Sequence, residues 1–119
     1  MFKFFKKEDI DNKLAEAVSK KLHLESKEYD LVVYDKFFGS FIFLLAILNK
    51  KVHVYSSDNK KKIEEFDVRD IDAISIQHKV DLNLYLKGGK WFNLTSVVGA
   101  KPKVVNQVRD LNNLINKLR

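Results

Sequence analysis

FFGSFIFLLAILNKK, residues 37–51, contains the longest apolar run of the chain, the twelve positions Phe37 to Leu48 interrupted only by Gly39 and Ser40. Three structures suit such a run: a membrane span, a buried helix, or two strands joined by a bend. A spanning helix needs roughly 18–20 apolar residues, so this run is too short. Leu44-Leu45-Ala46-Ile47-Leu48 are good helix formers, and a buried helix is the competing reading. Against it, the run is rich in Phe and Ile, has no helix cap, and lies between segments that alternate. We therefore read Gly39-Ser40 as a bend and Ser40 to Leu48 as a strand buried along much of its length. Asn49-Lys50 then turns the chain into the next strand.

Working outward, the clearest pattern is VDLNLYLKGGKWFNLTS. Val80, Leu82, Leu84 and Leu86 alternate with Asp81, Asn83, Tyr85 and Lys87, a period of two with one buried face. Gly88-Gly89 supplies a hairpin turn that needs positive φ, and Trp91 to Thr95 returns. The same reading gives strands over 71–77, 63–70 and 51–57, with SDNKKK, 57–62, as a turn, and YDLVVYD, 29–35, upstream. Seven strands result. A final helix follows, with Pro102 in its first turn, where a missing N–H is harmless. Val104, Val108, Leu111, Ile115 and Leu118 share one of its faces, and Val105 and Leu114 widen it.

Before the strands, residues 8 to about 24 read as an amphipathic helix, with Ile10, Leu14, Val18 and Leu22 recurring every fourth position. Glu8, Asp9 and Asp11 at its start and Lys20 and Lys21 near its end suit the helix dipole. The preceding FKFFKK has two readings: an interfacial anchor, or a short segment whose Phe residues staple the helix to the sheet.

Strand, "DI-x-x-I" turn and strand in FDVRDIDAISIQ, the glycine hairpin in LNLYLKGGKWFNLTSV, and the closing helix VRDLNNLINKLR resemble the bacterial pleckstrin-homology-like (PH-like) domains. The resemblance covers roughly residues 28–118. It implies an α+β, mainly β fold: a seven-stranded antiparallel PH-like barrel capped by a C-terminal α-helix, here with an additional N-terminal helix. The organisation expected is an N-terminal basic and aromatic segment with its helix, 1–27, and a PH-like domain, 28–119. The helix face is expected to plug the open end of the barrel. The basic motif by which phosphoinositide-binding PH domains grip their ligand on the first hairpin is missing, since YDKFFGSF offers Lys36 alone.

Composition narrows function by exclusion. There is no cysteine, which removes disulfides and thiolate metal sites and fits a reducing cytoplasm. His23, His53 and His78 lack metal-ligand spacing, and no P-loop, dinucleotide glycine pattern or nucleophile elbow occurs. No catalytic residue, cofactor, metal or small-molecule substrate is expected, and the chain is read as not an enzyme. Asp67, Asp70 and Asp72 are explained by turns and by pairing with Arg69.

The net charge is +6, from 22 Lys and Arg against 16 Asp and Glu, and only Arg69, Arg109 and Arg119 are Arg. Lysine acts as a point charge where arginine grips with a fork, so nucleic-acid reading ranks last. Candidate contacts to an anionic surface are Lys36, Lys50, Lys51, Lys60, Lys61 and Lys62, the last five in turns at opposite ends of one strand. The candidate interface is an aromatic tip, Phe37 and Phe38. Adjacent residues of a strand point to opposite faces, so at least one ring is exposed or covered by residues 1–27, a partner or a second copy. The expected role is a non-catalytic, cytoplasmic interaction module acting by protein–protein contact or self-association. The alternative is a peripheral adaptor at the inner face of the membrane, binding anionic headgroups through the lysine turns and the aromatic tip.

Overall fold

The computed structural model describes residues 3–25, 28–57, 62–77, 81–95 and 102–119. They form a mainly β, α+β chain with two antiparallel sheets, of five and three strands, and a C-terminal helix. The chain divides into two compact units, Met1–Phe66 and Asp67–Arg119. No helix among the described residues is long and apolar enough to cross a membrane.

In the first unit, β1 (Lys3–Lys6) leads through a short 3-10 turn into α1 (Asn12–Leu22). Then follow β2 (Leu31–Phe37), β3 (Ser40–Leu48), β4 (Lys51–Ser56) and β5 (Ile63–Asp67), in sheet order β1-β2-β3-β4-β5. The apolar run is extended: β3 occupies Ser40–Leu48. Its residues 43–47 are buried on both faces, which is why no alternation shows there. Leu44 and Ala46 join Val32 beneath Ala15, Val18 and Leu22 of α1. Phe43, Leu45 and Ile47 point the other way and are equally buried.

Helix α1 is shorter than the expected 8–24. The Asp11 carboxylate accepts a 2.7 Å hydrogen bond from the Leu14 N–H, making Asp11 the N-cap, and Glu8 and Asp9 stay outside in the 3-10 turn. At the other end His23 adopts a left-handed conformation, φ 56°, and stops the helix. A buried 2.6 Å hydrogen bond between the Ser19 and Tyr29 hydroxyls ties α1 to the chain entering β2. Residues 3–6 form a strand of the sheet. They pair with β2 in the register Lys3↔Tyr34 to Lys6↔Leu31, and Phe5 stacks on Tyr34 at 5.9 Å.

In the second unit a 3-10 turn, Val68–Asp70, precedes β6 (Ile71–Gln77), β7 (Asp81–Leu86), β8 (Trp91–Thr95) and α2 (Pro102–Leu118), with sheet order β6-β7-β8. Asp67 accepts from the Arg69 N–H at 2.8 Å and pairs with its guanidinium at 3.1 Å, as turn chemistry demands. Gly88 and Gly89 have φ of 86° and 88°, the left-handed values expected of that hairpin. Val108, Leu111 and Ile115 of α2 are buried, and α2 packs on β6. The Asn112 amide both accepts from the Ile74 N–H at 3.0 Å and donates to its carbonyl at 2.6 Å, occupying the outer edge of β6.

The single seven-stranded barrel is corrected. The described strands form two sheets and not one closed barrel, because the Val68–Asp70 turn ends β5 and β6 pairs with β7 in a new sheet. Residues 3–6 add an eighth strand. The helix face expected as a plug lies against β6 within the second unit, and Val105, expected to widen that face, is exposed. Val80 and the residues of the 57–62 turn from 58 to 61 lie outside the described residues.

Two stability measurements check this packing. Truncating Leu111 or Ile115 to Ala should cost about 2–5 kcal/mol in a urea melt; an unchanged midpoint in both would contradict the burial. His53 pairs with Ala46 and is buried, and desolvation holds its imidazole below the usual range, with Glu65 pulling the other way. The unfolded chain thus takes up a proton near about pH 6.5 before the folded chain does, so stability is full above that pH and declines as pH falls below it. Urea midpoints across that window should drop for the wild type and flatten for His53→Leu.

Candidate functional site

The tip of the β2–β3 hairpin is built from Phe37, Phe38, Gly39 and Ser40. Phe37 pairs with Ser40, leaving Phe38 and Gly39 as a two-residue turn with φ of 49° and 78°. Both values positive is the form that follows the twist of a hairpin, and Asn-Gly is its favoured pair. Phenylalanine in the first position is unusual: left-handed backbone costs an L-residue roughly 1–2 kcal/mol. The two rings meet edge-on at 4.4 Å, yet Phe37 is 63% and Phe38 92% exposed. Of the N-terminal segment expected as a cover, the described residues 3–25 leave the tip exposed.

Just inside the tip the ladder slips. Asp35 pairs with Phe43 and Lys36 with Phe41, so Ile42 is an extra residue, a β-bulge. Without it, alternation would carry Ile42 to the side where Leu44 and Ala46 meet α1. With it, Phe41 takes that place beside Lys36. The Lys36 ammonium lies 4.6 Å from the Phe41 ring centre, and Tyr34 meets Phe41 edge-on at 5.6 Å. Across the same face Lys21 of α1 sits 4.1 Å over the Tyr55 ring.

These side chains flank a groove of about 690 Å³ within the first unit, whose lining runs from α1 to the tip glycine, Gly39. Lys20, Lys21, His23 and Lys36 supply its polar groups, and Phe41 and Tyr55 its aromatic ones. No acidic residue lines it among the described residues. A second groove, about 380 Å³, lies in the second unit between β6 and α2, where Ile74, Val105, Val108 and Arg109 contribute. Among the described residues no three His, Asp or Glu side chains group to hold a metal ion.

The candidates read from sequence separate into two places. Lys36 and the exposed Lys62 are at the tip end of the first sheet, Lys62 directly preceding β5, whose first residue Ile63 lines the same groove. Lys50 and Lys51, both exposed, are in the β3–β4 turn at the opposite end, with Lys50 left-handed at φ 64°. Lys60 and Lys61 lie outside the described residues. Sequence reasoning assigned Lys20 and Lys21 to the helix dipole and missed their place in the groove. The one available signal was Ala17, three and four positions before them on the flank of the apolar face.

Comparison with family models, with curated proteins and with solved structures finds no match to this chain. The PH-like resemblance therefore rests on the sequence pattern and the order of elements.

Replacing Phe38 by Asn should relieve the strained turn and expose no ring. We expect Phe38→Asn to gain about 1 kcal/mol in a urea melt; a loss of that size would mean that the Phe38 ring is held by packing.

Proposed function

We propose that this chain is a non-catalytic interaction module of the PH-like kind, working in the cytoplasm by protein–protein contact or self-association. The observation that carries the reading is the Phe37–Phe38 tip. A bulky apolar ring held almost fully in water on left-handed backbone costs stability twice, once in strain and once in exposed apolar surface. Association offsets both costs by burying the rings, and aromatic side chains are the usual anchors of protein interfaces. The order of antiparallel strands closed by a C-terminal helix supports the PH-like placement.

The second reading, a peripheral adaptor on anionic membrane, is favoured by Lys36 and Lys62 lying at the same end of the sheet as the aromatic tip. Rings inserted at the interface with ammonium groups at headgroup level are a familiar pairing.

Two measurements decide between them. Static light scattering should show concentration-dependent association of the wild type, abolished in Phe37→Ser/Phe38→Ser; two monomers at high concentration would remove self-association. Sedimentation with anionic vesicles tests the membrane reading, which no pelleting at low salt would eliminate, since headgroup attraction is strongest there.

A further inference from the structure

We propose that the groove beside the tip is a docking site for an acidic, amphipathic segment of a partner protein, its carboxylates on Lys20, Lys21 and Lys36 and its apolar side chains on Phe41 and Tyr55. The proposal rests on the protein-contact reading and names the chemistry of the partner.

Charge complementarity is the first argument. Three lysines and His23 converge on one concave surface without an acidic residue in its described lining. They come from two distant stretches: α1 delivers Lys20, Lys21 and His23, and the bulged end of the β2–β3 hairpin delivers Lys36. Lys21 and Lys36 are half-buried and each lies over an aromatic ring, which fixes the ammonium groups in place. A carboxylate arriving there meets partly desolvated, pre-positioned cations, where a charge pair is worth more than on an open surface.

Shape and the spacing of charge then select the occupant. A planar bilayer meets the convex tip first, whereas Lys20, Lys21 and Lys36 are spread along a groove that a chain can follow. A compact phosphate is matched less well, because the lining has neither an arginine fork nor a helix N-terminus whose N–H groups would gather round it. Singly charged carboxylates spread along a chain suit spaced lysines. The floor between them, Ala17, Phe41, Tyr55 and Ile63, takes the intervening apolar side chains. Gly39 of the tip also lines the groove, so Phe37 and Phe38 flank the same partner.

The test is fluorescence anisotropy with a labelled peptide of Glu-Glu-Leu repeats. The full chain should bind it saturably, more weakly as salt rises, and should not bind the Gln-Gln-Leu version. Lys21→Gln/Lys36→Gln should weaken binding roughly tenfold, the scale of two partly buried charge pairs lost together. Lys50→Gln/Lys51→Gln, at the far end of the sheet, should leave it unchanged. In the wild type, amide shifts on peptide addition should centre on Ala17 and Gly39, a readout independent of any variant's folding. No binding of the Glu peptide, equal binding by both double variants, or shifts centred elsewhere would overturn the proposal. So would saturable binding of pyrophosphate or phosphatidylserine vesicles through Lys21 and Lys36 without binding of the peptide. Because Phe37→Ser/Phe38→Ser leaves all three lysines in place, loss of self-association in that variant with peptide binding retained separates the tip's role from the groove's.

Discussion

Strand β3 has no face it can give to water. From Phe43 to Ile47 every side chain is buried, the even positions under α1 and the odd positions on the reverse of the sheet. A sheet strand so placed needs apolar neighbours within the sheet and cover on its faces, and the first unit supplies the neighbours and the cover of one face. Val32 and Val33 flank it in β2, Val52 and Val54 in β4, and α1 is positioned by the Asp11 cap and the Ser19–Tyr29 hydrogen bond to cover one face. The constraint relaxes only at the strand's first residues, where the burial pattern opens. There an inserted residue, Ile42, is tolerated, and the face of every side chain before it is exchanged. Phe41 therefore reaches the α1 side as a ring beside Lys36, and the groove exists because the core has ended.

Much of this was legible where structure is local. Alternation marked β6 and β7, positive-φ chemistry marked Gly88-Gly89, and the unbroken run over 40–48 marked a strand buried twice over. What stayed hidden depends on partners far along the chain. Lys3–Lys6 holds two adjacent Phe and only four residues, too few for a period to appear, and it is a strand because β2 offers a free edge. The division into two sheets follows from β6 pairing with β7 after the Val68–Asp70 turn, a choice of neighbour and not of conformation. The bulge leaves no mark in SFIFLLAIL, where every candidate extra residue is apolar. Lys21 and Tyr55 meet only once α1 lies across the sheet, so each read alone as an ordinary helix end and an ordinary strand position.

The tip shows the opposite balance between stability and use. An Asn-Gly turn would serve the hairpin better than Phe38-Gly39, and polar residues would serve solubility better than two exposed rings. Local rules broken without compensation inside the fold are most often kept for something outside it. The β3–β4 turn makes the comparison within the same sheet: Asn49-Lys50 takes the same left-handed pair of conformations with a favoured residue first and a solvated one second. One end of β3 is built for the hairpin alone, and the other end sacrifices hairpin stability to present aromatic surface.

Those two ends also explain why the cations are lysines. At the β3–β4 turn, Lys50 and Lys51 are solvated charges at the end of the sheet. At the groove, a lysine lies along apolar surface with its stem and sets its ammonium on a ring, which needs a flexible chain and a compact charge more than a rigid fork. In the docking proposed for this groove, such cations would steer an acidic chain without demanding one geometry, and the neighbouring rings would supply the apolar contact that fixes position. The lysine-lined groove and the aromatic tip thus meet at a single glycine, Gly39, whose left-handed backbone turns the strand back with open space around it.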